Sequence, residues 1–382
     1  MIVKHLKLKN WKNFKNVSVD LTERVFLAGP NDSGKSNFLD VFKFIRDIAK
    51  SGGGLQKAIK DRGGLSNIRC RSSYRNQDIE IELVLSDGST NGINWRYGLG
   101  IKQDKHEYWM PFISFEYVER GNTKILDRPN KSDEKDKERK TETHLEQVNA
   151  NQRFREIAKF FSSINYLHII PQLVRNPEEF WGPNIHDDPY GRNFLMHLSK
   201  IPARTRTTRL KKIENALKIA VPHLEKIAFT KDESGYPHLE AYYEHWSQKS
   251  AKQREDQFSD GTLRLIGLLW SLLESDSLLL LEEPELSLNV GIVKKLAPLI
   301  YRMQQQNNRQ VVMSTHSFDL LSDKGIGPEE VLLLKPTDKG TVVENASSKK
   351  EIIALLEGGM SIGDAIVPHV TPEDIRKFNL YK

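Results

Sequence analysis

The residues best suited to chemistry lie near the start of the chain. Residues 29–36 read GPNDSGKS, which matches the phosphate-binding pattern G-x-x-x-x-G-K-[ST] at every fixed position. Glycines in such a loop let backbone N–H groups surround a phosphate at a helix N-terminus, where the dipole favours negative charge. Lys35 would reach the outer phosphates, and the Ser36 hydroxyl would hold Mg²⁺. The alternative is an ordinary glycine turn before a helix.

The elements on either side of this loop favour the phosphate site. Residues 24–28 form a short apolar run that predicts a buried strand, and the apolar residues of 36–50 fall on one helical face. Strand, glycine loop and helix therefore follow one another in the order that phosphate binding requires.

A pair of acids forms the second candidate group. Residues 277–285 read SLLLLEEPE, in which four leucines predict a strand buried on both faces. Ligands bind at the carboxyl ends of strands in open α/β sheets, which is where Glu282 and Glu283 fall. The first acid would coordinate Mg²⁺, and the second would orient or deprotonate water. Without a phosphate loop, two exposed acids after a core strand would be the better interpretation.

Two further motifs are weaker when taken alone. Residues 258–262 read FSDGT and precede an apolar helix, so Ser259 is either a simple N-cap or part of a helix N-terminus aimed at a phosphate. His316 follows the predicted strand 310–312. A lone histidine there is more often structural, but the next strand of a parallel sheet would bring it beside the acids.

The remainder of the sequence sets the protein class. The chain has 382 residues, a net charge of +6 and one cysteine, which excludes an internal disulfide and a cysteine-based zinc site. No apolar run approaches a membrane span, so we expect a cytoplasmic protein without a membrane partner.

Alternating residues predict two strands near the N-terminus and an antiparallel meander over 79–126. Residues 131–142 are almost all charged or polar and predict a mobile solvated loop or hinge. A helix over 145–162 and a strand over 164–170 should follow. From 258 onward, helix and strand alternate as in a parallel α/β sheet. The predicted division is an N-terminal half that carries the phosphate loop, an insert lobe, a C-terminal half that carries the paired acids, and a helical tail, at 1–130, 131–257, 258–345 and 346–382.

The order of these motifs resembles that of the ABC-type ATPase heads of the SMC, RecF and OLD class. Residues 6–14, LKLKNWKNF, resemble the N-terminal strand and turn of that class, and Asn31 and Ser33 match its phosphate loop. FSDGT resembles the variant signature of single-chain ATPases encoded in bacterial antiphage defence or repair operons. The resemblance covers about 1–70 and 255–335.

This resemblance implies a P-loop NTPase head with a mixed central sheet, an antiparallel meander and a helical lobe. It implies ATP and Mg²⁺ as ligands and a homodimer whose heads sandwich ATP, each composite site pairing one phosphate loop with the partner's signature. Asn31, Gly34, Lys35 and Ser36 would bind nucleotide. Ser36 and Glu282 would hold the metal, Glu283 would activate water, and His316 would sense the γ-phosphate. Ser259 and Gly261 would act across the dimer, and Gln172 is the candidate Q-loop glutamine.

The sequence departs from the class at several points. Glu282 stands where Asp is usual, so its carboxylate reaches one methylene further, and Asp260 stands where Gly is common. No long heptad run separates Ser36 from Phe258, and no D-x-D follows a strand after His316. We therefore expect neither a coiled-coil arm nor a Toprim nuclease domain.

The expected function is an ATPase that gates a separate effector, such as a nuclease or toxin in antiphage defence, or that acts on DNA. A RecF-like repair ATPase and an ATP-bound scaffold with little turnover are the alternatives. Two basic clusters leave DNA or RNA contact open, although a solvated helix face is the more common explanation. They are Arg69, Arg71 and Arg75, and Arg204, Arg206, Arg209, Lys211 and Lys212.

Overall fold

The computed structural model of the chain describes residues 1–72, 78–87, 94–103, 110–177, 188–244, 251–275 and 277–372. Its strands are β1 (Ile2–Trp11), β2 (Phe14–Asp20), β3 (Arg24–Ala28), β4 (Ile79–Ser86), β5 (Trp95–Gln103), β6 (Pro111–Arg120), β7 (Thr123–Arg128), β8 (Asn165–Leu167), β9 (Leu224–Lys231), β10 (Pro237–Tyr243), β11 (Ala251–Arg254), β12 (Leu279–Glu282), β13 (Val311–Thr315), β14 (Val331–Lys335) and β15 (Val342–Asn345). Its α-helices are α1 (Lys35–Ala49), α2 (Leu55–Lys60), α3 (Leu65–Ile68), α4 (Lys131–Lys135), α5 (Arg155–Ser162), α6 (Pro171–Arg175), α7 (Phe194–Lys200), α8 (Ala203–Ala220), α9 (Asp260–Glu274), α10 (Val290–Asn307), α11 (Lys350–Glu357) and α12 (Ile362–Val370).

The central sheet has six strands in the order β15-β14-β3-β13-β12-β8. Five of them run parallel, and β15 is antiparallel to β14. Every residue of β3 and of β13 is buried, as is expected for strands that are covered on both faces. This mixed sheet confirms the predicted fold class.

An antiparallel sheet of six strands, in the order β2-β1-β4-β5-β6-β7, packs on one side. Buried and half-buried residues alternate along β4, which is the period-2 pattern read from the sequence. The predicted meander is therefore confirmed, although the turn at Gly88 lies outside the described residues. The N-terminal hairpin joins the same sheet, since β1 pairs with both β2 and β4.

The central sheet separates two hydrophobic cores. One core lies between the two six-stranded sheets and contains the apolar face of α1, including Phe38, Phe42 and Ile45. The other core lies on the opposite face and contains residues of α8, α9 and α10 and of β9 and β10, two strands of the three-stranded sheet β11-β10-β9. Because both faces of the parallel sheet are packed, its strand ends are held rigidly relative to one another.

The charged segment 131–142 is mostly exposed, as predicted, but it is helical rather than an irregular loop. It forms α4 and a 3₁₀ turn (Lys137–Thr141) that fold back onto a fully buried guanidinium. Arg128 pairs with Glu116 at 3.0 Å and with Asp133 at 2.9 Å, and all three side chains are inaccessible. Paired charges can be buried where their hydrogen bonds are satisfied.

Two other element boundaries differ from the prediction. The helix predicted over 145–162 begins only at Arg155, because residues 145–151 form turns in which the Asn151 amide donates to the Leu145 carbonyl at 3.1 Å. The strand predicted over 164–170 is confined to β8. Pro171 starts α6, and a proline fits the first turn of a helix.

The predicted division at 130, 257 and 345 stays a prediction. One element of the predicted insert, β8, extends the central sheet beside β12. No helix within the described residues combines the length and apolarity that crossing a bilayer needs.

Candidate active site

The chemistry-bearing motifs meet because three neighbouring parallel strands end at the same edge of the central sheet. The phosphate loop follows β3, His316 follows β13, and Glu282 closes β12. The register pairs Ser314 of β13 with Leu27 on one side and with Glu282 on the other. Ligands of α/β sheets bind at this edge.

The phosphate loop is held by the turn between β1 and β2. Gly34 has a left-handed backbone (φ 93°), and the Asn13 side chain lies so close that an added Cβ would come within 2.0 Å of its Nδ2. Asn13 Nδ2 donates to the Ser33 carbonyl at 3.1 Å and to the Thr341 hydroxyl at 2.7 Å. Only glycine fits at position 34 without displacing this brace.

Lys35 is buried, and its ammonium donates to carbonyls of its own loop. Nζ lies 2.9 Å from the Gly29 oxygen and 3.0 Å from the Pro30 oxygen. Burial lowers the pKa of Lys35 to about 8, and three nearby carboxylates oppose the shift. The loop therefore holds the ammonium through two neutral carbonyls, which an anionic phosphate could replace as the acceptors.

Ser36 and Glu282 come together from opposite ends of the sequence. The Ser36 hydroxyl donates to Glu282 Oε1 at 2.5 Å, across 246 residues of chain. A hydroxyl and a carboxylate are both hard oxygen donors of the kind that Mg²⁺ prefers. This pair fits the expected metal site, and the extra methylene of Glu282 does not stop its carboxylate from reaching Ser36.

Glu283 and His316 form the second contact of the site. His316 Nε2 lies 3.3 Å from Glu283 Oε1, and burial lowers the pKa of His316, so the ring is neutral near pH 7. Glu283 has a positive φ of 45°, which is unusual for a non-glycine residue, and its N–H donates to the Ser314 carbonyl at 3.1 Å. Strained backbone of this kind is concentrated at functional sites.

Glu285 connects the loop that carries Glu283 with the loop that carries His316. Its Oε1 accepts from the Thr315 hydroxyl at 2.6 Å and from the His316 N–H at 3.0 Å. Burial raises the pKa of Glu285. The carboxyl group thus ties the loop after β12 to the loop after β13.

The predicted signature lies next to the acid loop of the same chain. Ser259 caps α9 by accepting from the Thr262 N–H at 3.2 Å, and it is exposed. A Cβ on Gly261 would come within 2.5 Å of the Ser287 carbonyl, so the helix start and the loop after the acids are in close contact. Neither Ser259 nor Gly261 hydrogen-bonds the phosphate loop among the described residues.

Gln172 is exposed on α6, and the described contacts do not connect it with Ser36 or Glu282. Its neighbour Arg175 does reach the signature, where it donates to the Phe258 carbonyl at 2.6 Å and pairs with Asp260 at 2.6 Å. Asp260, which stands where the class commonly has glycine, therefore has an ion-pair partner within the same chain.

Sequence reasoning missed the residues that surround Glu282. Tyr166 of β8 donates its hydroxyl to Glu282 Oε2, and His168 Nδ1 lies 3.2 Å from the Glu282 carbonyl. Arg264 of α9 lines a small cavity with both acids. The pairing of β8 with β12 was the missing information, because no sequence pattern marks a tyrosine as the neighbour of a particular carboxylate.

The basic clusters are partly structural. Arg206 donates to three backbone carbonyls and stacks on Phe229, and Arg209 donates to the Glu274 carbonyl and lies over Trp270. Lys211 pairs with Glu214 at 2.6 Å, whereas Arg204 and Lys212 are exposed. Arg75 lies outside the described residues.

A phosphate loop, paired acids and a histidine on adjacent strands of this mixed sheet, beside a capped signature helix, define an ABC-type P-loop ATPase head of the SMC-like kind. The chain belongs to the family described as "AAA domain, putative AbiEii toxin, Type IV TA system", whose model matches residues 24–323. Membership of this family implies nucleotide binding. None of the curated proteins matches the chain.

One solved SMC head shares the fold, and two others are less similar. An SMC head bound to the C-winged-helix domain of ScpA superposes with a TM-score of 0.54 and 13% identity, covering 91% of this chain and 99% of that one. The SMC head from Thermotoga maritima has a TM-score of 0.48 and 12% identity, and the match covers 90% of this chain and 99% of that one. The Pyrococcus furiosus head, bound to the C-terminal domain of ScpA, has a TM-score of 0.49 and 12% identity, and the match covers 93% of this chain and 99% of that one. Here the longest described helices have 18 residues, so no coiled-coil arm extends from the described part.

Proposed function

We propose that the protein binds ATP with Mg²⁺ at this edge of the central sheet and hydrolyses it. The observation that carries the proposal is the hydrogen bond between Ser36 and Glu282, because it joins the end of the phosphate loop to the acid strand. Mg²⁺, when bound, would neutralise phosphate charge and hold the β- and γ-phosphates in place. Ser36 and Glu282 would hold it, and Lys35 would leave its loop carbonyls for the phosphates.

Glu283 is the proposed general base. Its carboxylate would accept a proton from water as the water oxygen attacks the γ-phosphorus and the bond to the β-phosphate oxygen breaks. The 3.3 Å contact with His316 supports this role, since the ring orients the carboxylate and would stand beside the γ-phosphate.

We propose further that two heads associate head to tail around ATP. Three large apolar side chains are exposed beside the acids: Leu286 (37%), Val290 (52%) and Phe318 (39%). Exposed apolar side chains that polar residues surround are typical of an interface. Ser259 is exposed and the first turn of α9 is half-buried, so a partner's nucleotide can reach this helix N-terminus.

The proposed role in the cell is to gate a separate effector, such as a nuclease or toxin in antiphage defence, in the cytoplasm. The SMC head solved with a domain of ScpA supports a head of this fold that receives a protein partner. A RecF-like action on DNA is the second candidate, and the exposed Arg204 and Lys212 favour it.

Replacing Glu283 tests the chemistry. Glu283→Gln keeps the shape and removes the base, so ATP should still bind while hydrolysis falls by at least about a hundredfold. Glu233→Gln, at an exposed turn, is the matched control and should hydrolyse at the wild-type rate. Undiminished hydrolysis in Glu283→Gln would remove this residue from the role of base.

An ATP-bound scaffold with little turnover is the remaining alternative. The glutamate at position 282 favours it, because the class usually carries the shorter aspartate there and Mg²⁺ demands near-ideal ligand geometry. Tight, Mg²⁺-dependent ATP binding in wild type without phosphate release would select this alternative.

A further inference from the structure

The carboxylate of Glu282 is held from both sides. Its Oε1 accepts from Ser36 of α1, and its Oε2 accepts from the Tyr166 hydroxyl of β8. The register explains how Tyr166 reaches this oxygen. Tyr166 pairs with Leu280, two residues before the acid and on the same face of the sheet, so its ring must span about 7 Å along the strand.

The tyrosine ring is itself fixed. Tyr166 is only 4% exposed, and Lys43 Nζ of α1 lies 3.7 Å from the centre of its ring. His168, two residues further along, holds the Glu282 backbone through its carbonyl oxygen at 3.2 Å. Both the side chain and the main chain of Glu282 are thus positioned by the edge strand β8 and the residues that directly follow it.

The direction of the hydrogen bond suits this role. A phenol hydroxyl that faces an ionised carboxylate can only donate to it, so Glu282 Oε2 accepts from Tyr166.

We propose that Tyr166 is a positioning residue that fixes the rotamer of Glu282, so that a glutamate can serve where the class usually carries an aspartate. A glutamate has one more rotatable bond than an aspartate, and Mg²⁺ demands near-ideal ligand geometry. The hydroxyl removes that freedom by occupying Oε2, and Oε1 stays directed at Ser36. The metal part of this inference rests on the proposed function.

The test measures Mg²⁺ affinity at equilibrium rather than turnover. In the Glu283→Gln background, ATP binding is titrated by calorimetry at increasing Mg²⁺ and also in EDTA. Tyr166→Phe keeps the ring and its contact with Lys43 and loses only the hydroxyl. The measured quantity is the Mg²⁺ midpoint, which is the Mg²⁺ concentration at which half of the gain in ATP affinity is reached. Loss of an outer-shell partner typically costs 10–100-fold in metal affinity, so we expect this midpoint to rise by about tenfold or more. ATP binding in EDTA should not change.

Two variants separate positioning from a general structural effect. Tyr301→Phe, on the half-exposed Tyr301 of α10, is the matched control and should leave the Mg²⁺ midpoint unchanged. Glu282→Asp shortens the acid so that it no longer reaches Tyr166. Adding Tyr166→Phe to Glu282→Asp should therefore change the midpoint by less than about twofold, because the two side chains no longer interact. Melting temperatures in EDTA should agree across the set if every variant is folded.

The outcomes distinguish this inference from the proposed function. If the parent binds ATP without any Mg²⁺ dependence, the assignment of the metal site fails. If the parent is Mg²⁺-dependent and Tyr166→Phe has the same midpoint, the positioning role alone is overturned. An equal loss from Tyr166→Phe with and without Glu282→Asp would also overturn it, because the hydroxyl would then act through something other than Glu282.

Discussion

Replacing Gly34 by alanine should distort the phosphate loop through one side chain, that of Asn13. The left-handed backbone at Gly34 costs an L-residue about 1–2 kcal/mol. The added Cβ would also come within 2.0 Å of Asn13 Nδ2, so the amide must move. Moving it breaks three hydrogen bonds, to the Ser33 carbonyl, to Thr341 and from Asn37. At about 0.5–1.5 kcal/mol for each bond, and with the backbone cost added, the total destabilisation is about 2.5–6.5 kcal/mol.

A second glycine provides the matched control. Gly52 also has a positive φ, of 71°, but a Cβ there meets nothing within 4 Å. Gly52→Ala should therefore cost only the backbone term of about 1–2 kcal/mol. In an Asn13→Ala background the clash is absent, so Gly34→Ala should cost no more than Gly52→Ala does.

Denaturant unfolding without nucleotide measures these differences, and calorimetry with Mg²⁺ and ATP reports the loop itself. We expect Gly52→Ala to bind nucleotide like wild type and Gly34→Ala to bind it much more weakly. Equal destabilisation by Gly34→Ala and Gly52→Ala would refute the reasoning, because it would mean that Asn13 does not pack on the loop as described.

Three further predictions concern nucleotide binding and assembly. Lys35→Ala should abolish measurable ATP affinity and leave the fold intact. The control Lys60→Ala, at the exposed end of α2, should bind ATP normally. Equal ATP affinities of the two variants by calorimetry would contradict the assignment of the phosphate loop. Because the folded pKa of Lys35 is about 8, below its ordinary 10.5, ATP affinity should be constant below about pH 8 and fall above it as the ammonium loses its proton. Without nucleotide, the free energy of unfolding should rise between about pH 8 and pH 10.5, because the unfolded chain binds more protons than the folded one in that range. Lys35→Arg should flatten both the affinity profile and the stability profile. ATP but not ADP should raise the mass measured by light scattering, most clearly in Glu283→Gln. Ser259→Arg should block this increase while each head still binds ATP. A mass that does not depend on nucleotide in either wild type or Ser259→Arg would count against closure-driven assembly.

The motifs that carry the proposed chemistry could be predicted because each is local. A phosphate loop needs a strand, a glycine-rich turn and a helix in immediate succession, and all three are legible in residues 24–49. The buried strand before Glu282 is likewise marked by consecutive leucines. That these segments share one sheet edge follows from parallel topology, which the alternation of helix and strand after residue 258 already indicates.

The charged segment 131–142 shows what local composition leaves out. Most of its residues are exposed, as the composition predicts, yet Asp133 is fully buried because Arg128 and Glu116 complete the network from β7 and β6. Whether a charge is solvated or buried depends on a partner, and the partner is set by strand pairing rather than by neighbouring residues.

The sequence by itself determined the order of the motifs, the fold class and the choice of Lys35, Ser36, Glu282 and Glu283 as candidate site residues, because these depend on spacing along the chain. Only the tertiary structure decided what holds them. Asn13 braces the loop, Glu285 links two strand ends, and Tyr166 contacts the carboxylate of Glu282 from 116 residues away in sequence. Such contacts form between residues that become neighbours only when the sheet assembles, so no local pattern records them.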